Sequence, residues 1–263
     1  MTVQISRSPG ADQASANGVY CYGITWAAAV PPRGEAGVGG KAVAAVSDGE
    51  LAALTSPVES TKVRAKRRDL LNHSEVLAAA LERGTVLPLR FGVVFENEAA
   101  LVEGFLRSRQ EELAALLRKF EGKVELTVRA QYEENAILAE IVQANPRIAQ
   151  LREQTRGGQD AATYPLRAEL GERVADELQR RTERDRKALL DRLSPLAVDT
   201  EVDRERIEHQ AVRASFLVKR RDVTAFDDVM DELAGTHAGR IRFKYVGPLA
   251  PHSFVSVTPL ESR

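Results

Sequence analysis

A single cysteine, Cys21, stands in a chain of 263 residues. One thiol can form neither an intramolecular disulfide nor a zinc-thiolate cluster, so folding needs no oxidising compartment and the expected location is the cytosol. Net charge is also missing. The 37 Lys and Arg balance 38 Asp and Glu to a formal charge of -1, which removes any global electrostatic case for nucleic acid or an anionic membrane and leaves only local patches. No apolar run approaches the roughly 18 residues that span a bilayer. Residues 1–17, polar and rich in Gly, Ser and Ala, lack a hydrophobic signal core and read as a disordered tail. Aromatics are only 5% of the chain against 29% charged residues, which points to solvated helices around a Leu/Val/Ala core more than to an aromatic-lined ligand pocket. At roughly 150 residues per domain, the length suggests one or two domains.

What is present divides into two halves. The first opens with a strand, Val19–Trp26, that places Tyr20, Tyr22, Ile24 and Trp26 on one side and Cys21 on the other. A loop with Pro31 and Pro32 follows, then two short segments, Lys41–Ser47 and Leu51–Thr55, around a Ser-Asp-Gly turn; the first reads as a strand, the second as strand or helix. Val63–Arg83 is helical, with Asn72 or Ser74 placed to cap a second piece. Val86–Phe95 is apolar on both faces like a central strand, although Pro88 requires an edge or bulge. A long helix carries Leu101, Phe105, Leu113, Leu116, Leu117 and Phe120 on one stripe, and Glu121-Gly122 ends it at the expected domain boundary.

The second half alternates cleanly. Val124, Leu126, Val128, Ala130 and Tyr132 point one way and Glu125, Thr127, Arg129 and Gln131 the other, so Lys123–Tyr132 is a half-buried strand. Charged helices follow over Glu133–Arg156 and Leu166–Leu193, broken by Gly157-Gly158, with Pro165 suited to a first helical turn. Strands around Val198–Val202 and Val212–Val218, a helix capped by Asp222, and a strand around Ile241–Tyr245 complete the order β-α-β-β-α-β. The expected fold is α+β with two domains: a mixed α+β domain over residues 18–121 and a ferredoxin-like domain over residues 122–246 with an expanded helical crossover. Residues 247–263 form a tail whose run Pro251–Val257 is apolar enough to dock on the body.

Catalytic and ligand chemistry is sparse. His73, His209, His237 and His252 include no pair at the spacing that lets one helix present two metal ligands. Cys21 has no neighbouring base and reads as a small interior or edge residue. Acids are interleaved with Arg and Lys at helical spacing, as in Asp176, Arg180 and Arg184, the pattern of a solvated salt-bridged face. Gly34–Ala42 imitates a phosphate loop but has Glu35 where a glycine is needed and Ala42 where a magnesium-binding hydroxyl is needed. The polar face of the second sheet offers no aromatic for base stacking, which removes RNA recognition of the usual kind. No catalytic residue, cofactor, metal or small-molecule substrate is expected. The strongest basic patch is Lys62–Arg68; Arg64, Arg67 and Arg68 are the candidate partner contacts.

Five segments in order carry a resemblance: the Tyr-rich strand Val19–Gly23, His73–Leu77, Leu87–Gly92 (Leu-Pro-Leu-Arg-Phe-Gly), Lys123–Leu126 (Lys-Val-Glu-Leu) and Gly247–Val255 (Gly-Pro-x-x-Pro-x-Ser-Phe-Val). Together they make the chain similar to the gas vesicle protein F/L family, with His252 where that family's signature often has an aromatic residue. The resemblance implies a non-enzymatic accessory protein of gas vesicle formation, in the cytoplasm and at the vesicle, whose partners are the small hydrophobic major shell protein and other accessory proteins. A minor component of the vesicle wall is the alternative, and an enzyme with an unrecognised site a remote one. Within the family segments His73 reads as part of a helix start, Arg90 as a strand residue that must meet a carboxylate or carbonyls, Phe91 and Pro248 as structural, and Phe254 with Val255 as packing the tail across the domain boundary.

Overall fold

The computed structural model describes residues 18–30, 36–60, 63–157, 163–203, 205, 207 and 209–257. The expected disordered tail at residues 1–17, the Pro31-Pro32 loop, Lys62 of the basic patch and Gly158 of the glycine loop lie outside the described residues. The chain forms two compact units, Met1–Lys119 with Val257–Arg263, and Phe120–Ser256.

The first unit is built on an antiparallel sheet. Its strands are β1 (Gly18–Trp26), β2 (Ala44–Asp48), β3 (Leu51–Val58), β4 (Val86–Pro88) and β5 (Val94–Phe95), in the order β2-β3-β1-β4 with β5 also paired to β1. Leu51–Thr55 resolves as strand because its backbone pairs on both sides, with β1 and with β2. Both faces of β1 are covered, so Cys21 is as buried as Tyr20, Tyr22 and Ile24. The single central strand expected over Val86–Phe95 does not form: β4 and β5 pair separately with β1. Pro88 ends β4, which lies at the edge of the sheet order. Helix α1 is continuous from Arg67 to Arg83. Asn72 and Ser74 do not cap a second piece, because Asn72 donates to Gly37 O and Ser74 bonds back to Leu70 O within the helix. The long helix expected after Phe95 is three segments: α2 (Glu98–Leu101), a π-helical stretch at Val102–Arg107, and α3 (Gln110–Phe120).

The second unit carries β6 (Lys123–Tyr132), helices α4 (Glu134–Ala144), α5 (Pro146–Gln154) and α6 (Tyr164–Leu193), strands β7 (Asp199–Val202) and β8 (Gln210–Lys219), helix α7 (Val223–Thr236) and β9 (Ile241–Leu249). The strand order is β7-β8-β6-β9, every neighbour antiparallel. The helix expected over Glu133–Arg156 is split at Pro146, whose missing N–H suits a first helical position, and Asn145 Oδ1 caps the new helix by accepting from Ile148 N at 3.3 Å. Asp222 stands before α7 but makes no side-chain cap hydrogen bond. That helix is held by packing. It buries Phe226, Met230 and Leu233 with Val128, Ala130, Phe216 and the α4–α6 residues Ile137, Ile141, Leu189 and Leu193, each large side chain contributing about 1.5–3 kcal/mol. Strand β9 continues through Gly247 and Pro248 to Leu249, so the first three residues of the expected tail are sheet, joined through a cis Gly247-Pro248 bond.

Arg240, just before β9, is the centre of a half-buried network. Its Nε reaches Glu140 Oε1 at 2.7 Å and its Nη2 reaches Asp185 Oδ2 at 2.7 Å, while the guanidinium lies 5.5 Å from the Tyr132 ring centroid. Tyr132 donates to the same Asp185 oxygen at 2.6 Å, and Arg181 meets Glu140 at 3.2 Å. One strand end is thus tied to α4, α6 and β6 by charge-assisted bonds.

Candidate functional site

The first three family segments meet inside the first unit. Tyr20 Oη lies 2.8 Å from His73 Nδ1 and accepts from Gly92 N at 3.2 Å, while the rings of Tyr20, His73 and Phe91 stand within 6 Å of one another, edge to face. His73 is therefore not a helix start. It lies in the second turn of α1, 5% exposed, in an aromatic cluster. Burial raises the Tyr20 and Tyr22 phenols above the ordinary tyrosine value, with the donors Gly92, for Tyr20, and Ser56 and Val38, for Tyr22, offsetting part of the effect.

A relay of hydroxyls continues from this cluster. Val38 N–H donates to Tyr22 Oη at 2.7 Å, Tyr22 and Ser56 hydroxyls are 2.9 Å apart, and Ser56 donates to Ala42 O at 3.0 Å. On the other side Asn72 holds Gly37 O at 2.8 Å and Asp69 Oδ1 accepts from Gly39 N at 2.9 Å. An added Cβ at Gly37 would collide with Tyr22 Oη and lie 2.6 Å from Ser56 Oγ, so the close approach needs glycine. The Gly39 amide, which a phosphate loop would offer to its ligand, is taken by a carboxylate. The glycine segment is thus a strap pinned onto α1.

The same pinning orients the start of α1. Arg64, Lys66, Arg67 and Arg68 are all exposed, and Lys66 at the N-cap makes no side-chain cap bond. Next to them Leu70 and Leu71 are 42% and 54% exposed. Asp69, Asn72, His73, Val76 and Leu77 take the inward positions, so these two leucines face outward by helical geometry. The three predicted arginines therefore come together with two apolar side chains that the basic run alone did not reveal. Arg90 does not belong to this group or to a buried ion pair: the chain leaves the sheet after Pro88, and Arg90 is exposed on the turn that follows. Phe91 next to it is half-buried.

The remaining two family segments meet in the second unit. Glu125, expected on the open polar face of β6, is 3% exposed because the chain after β9 folds over it. Its Oε2 accepts from Ser253 N at 2.8 Å and its Oε1 from Ser253 Oγ at 2.7 Å; Ser253 Oγ is also 2.9 Å from Ser215 Oγ on β8. Gly247 passes so close to β6 that a Cβ there would lie 3.0 Å from Glu125 O. Phe254 is half-buried and Pro248 lies in β9. Sequence reading singled out Pro248 and Phe254 and missed Glu125 and Ser253. The available signal was that both sit inside family segments, one of them as an acid on a strand.

A hollow of about 390 Å³ opens beside this clasp, lined by Thr127, Arg129, Glu201, Arg213 and Ser253 among others, and another of about 750 Å³ lies between α6 and the start of β8. Among the described residues no group of three or more His, Cys, Asp or Glu is placed to hold a metal ion. No helix among them is long and apolar enough to cross a membrane.

Comparison with known proteins places these features. The family model described as gas vesicle synthesis protein GvpL/GvpF matches residues 18–256. The chain belongs to the GvpL/GvpF family. It is 34% identical over 239 residues to gas vesicle protein F of Streptomyces sp. (strain CB03234), covering 90% of this chain and 98% of that protein. It is 28% identical to gas vesicle protein L1 of Halobacterium salinarum, over 80% of this chain and 76% of that one. The crystal structure of GvpF from Anabaena sp. PCC7120 superposes with a TM-score of 0.75 at 25% identity, covering 92% of this chain and 99% of that chain. The GvpF structure from Microcystis aeruginosa shares the fold, with a TM-score of 0.73 at 22% identity, over 91% and 99%. Both clusters described above, Tyr20/His73/Phe91 and Glu125/Ser253, fall within the residues that match the family model, and so does the basic leucine patch.

Proposed function

We propose that this GvpL/GvpF member binds the small hydrophobic major shell protein of the gas vesicle and prevents its aggregation during nucleation and assembly, acting in the cytoplasm and at the growing vesicle. The observation that carries this reading is the surface at the start of α1: two leucines 42% and 54% exposed beside Arg64, Lys66, Arg67 and Arg68. Apolar side chains supply burial for a hydrophobic client, while clustered cations add steering and register. A shell subunit with uncovered apolar surface and strand edges aggregates unless a partner shields them. Names of relatives in both the F and L classes support a place in gas vesicle formation. The strand order β7-β8-β6-β9, with helices after the first and third strands of the unit, supports reading residues 122–246 as a ferredoxin-like module, beside a mixed α+β domain over residues 18–121.

The test is co-purification with the major shell protein expressed at low level. The intact chain is expected to capture it, and a Leu70→Ser/Leu71→Ser variant or an Arg64→Glu/Arg67→Glu/Arg68→Glu variant, each melting like the parent, to capture at least tenfold less. A folded parent that captures no shell protein overturns the binding function. Full capture by both variants moves the contact away from α1.

A further inference from the structure

The sheet of the second unit, in the order β7-β8-β6-β9, ends in two edges of opposite charge. On β7 Asp199 and Glu201 alternate with Thr200 and Val202, and on β9 Arg242 and Lys244 alternate with Phe243 and Tyr245. Charge on an edge strand ordinarily keeps other chains from pairing with it. Between copies of one chain that defence needs the same sign at every edge. Here one edge is acidic and the other basic, so each repels its own kind and attracts the other.

The register shows which backbone groups are open. Asp203 N bonds to Arg213 O and Glu133 N to Arg240 O, and bonding pairs alternate along an antiparallel ladder. Glu201 opposite Ser215 and Lys244 opposite Arg129 therefore bond inward. Thr200 and Val202 on β7, and Phe243 and Tyr245 on β9, direct their N–H and C=O groups away from the sheet. Among the described residues Val202, Phe243 and Tyr245 make no other backbone hydrogen bond, and the Thr200 N–H is held by the adjacent Asp199 carboxylate at 2.8 Å. Glu205, Ile207 and His209 in the connection after β7 line the hollow beside α6, so that connection leaves on the helix side of the sheet. Every residue from 209 to 257 is described, and the chain after β9 turns back over β6 and β8 through Ser253.

The two edges match on both faces. Successive antiparallel neighbours make β7 and β9 run in opposite directions, so a second copy set beside the first in the same orientation lays its β7 antiparallel to β9. With its Val202 opposite Phe243 and its Thr200 opposite Tyr245, its Glu201 falls opposite Lys244 and its Asp203 opposite Arg242. Opposite charges placed directly across two strands stabilise the pairing. Glu201 and Lys244 are both exposed, and among the described residues neither has a counter-charge within 4 Å. Asp203 and Arg242 have only the outer contacts with Arg213 at 3.3 Å and Glu133 at 3.6 Å. On the helix face Val202 and Phe243 are both partly buried at the margin of the core, and the same register lets each cover the other.

We propose that the second units of two copies join edge to edge, β9 of one to β7 of the next, continuing the sheet head to tail. The contact is heterologous, so each added copy leaves a free edge and association does not stop at two. This self-association is independent of the client binding proposed above.

The experiment is sedimentation of the full-length chain at low salt. Four residues of β7 make a short contact, so the average mass is expected to rise past that of a dimer only as concentration approaches about 1 mM. About 0.5 M salt, which screens exposed pairs, is expected to return the monomer. Lys244→Glu and Glu201→Lys, each melting like the parent, are expected to weaken association at least about tenfold, because each sets like charges opposite one another. An equimolar mixture of the two variants is expected to recover association, since every edge in an alternating series again meets its opposite. A parent that stays monomeric over the whole range overturns the proposal. Association unchanged in both variants overturns it too, as does a mixture of the weakened variants that recovers nothing. A mass that stops at a dimer assigns a two-fold contact instead and equally overturns head-to-tail pairing.

Discussion

Replacing Ser253 by alanine tests the clasp that closes the second unit. The change removes one hydroxyl that lies 2.7 Å from Glu125 Oε1 and 2.9 Å from Ser215 Oγ, while the Ser253 N–H keeps its 2.8 Å bond to Oε2. Glu125 is only 3% exposed, so water from the adjoining hollow recovers only part of what the lost donor supplied. A hydrogen bond to a charged group is worth about 1.5–3 kcal/mol, and the methyl left behind offers the carboxylate nothing in return. The expected loss of unfolding free energy is about 1.5–3 kcal/mol, or roughly 3–12 °C in melting temperature for a chain of this size. Thermal unfolding followed by circular dichroism measures the loss. A double-mutant cycle with Glu125→Gln isolates the pair: if the two side chains act through each other, the combined loss is clearly smaller than the sum of the two single losses. A Ser253→Ala protein that melts within about 1 °C of the parent, with additive behaviour in the cycle, would refute the clasp as a stabilising element.

Three further outcomes follow from buried polar and ionisable groups. Arg240→Ala strands Glu140 and Asp185 in a half-buried setting and is expected to cost about 2–3 kcal/mol in urea unfolding, while Arg240→Lys recovers only part because an ammonium cannot span both carboxylates; equal stability of all three proteins would contradict the network. Cys21 is fully buried and its thiol is pushed up to about 12 by desolvation, so thiol reagents at pH 8 are expected to label the native protein at least a hundredfold more slowly than the urea-unfolded chain. The same burial raises the phenols of Tyr20, Tyr22, Tyr132 and Tyr245, the last two with help from Asp185 and Asp227. Groups whose folded values lie above their unfolded ones hold protons more tightly when folded. Their contribution is complete below the unfolded values of about 8.5 for the thiol and 10 for the phenols, and is lost as pH rises past them. Unfolding free energy should therefore decline steadily above about pH 9, and a flat profile from pH 8 to 11 would show that these groups are not coupled to folding.

The strands legible from alternation were those with one wet face. Lys123–Tyr132 is sheet over the whole expected range because each inward residue meets a helix and each outward one meets solvent or a polar neighbour. Val86–Phe95 looked like one strand because local apolarity cannot register a loop. Only the separate pairings of β4 and β5 with β1 break it. Pro146 was visible in the sequence, but whether it starts a helix or kinks one depends on Asn145 having Ile148 N within reach. The basic run was legible as charge. Its setting beside two exposed leucines was not, because which face of α1 turns outward is settled only when Asp69, Asn72 and His73 take the inward positions.

Composition and local pattern by themselves determined the α+β class, the absence of a disulfide framework and the family, because each depends on residue identity and short-range order along the chain. Tertiary structure alone decided that Glu125 is buried by Ser253, that Arg240 is a hub instead of a surface charge, and that Leu70 and Leu71 face outward from α1. The physical reason is common to all three. Burial, ion pairing and hydrogen-bond satisfaction depend on residues up to 128 positions apart in sequence, and a polar side chain carries no local mark of whether water or another part of the chain will satisfy it.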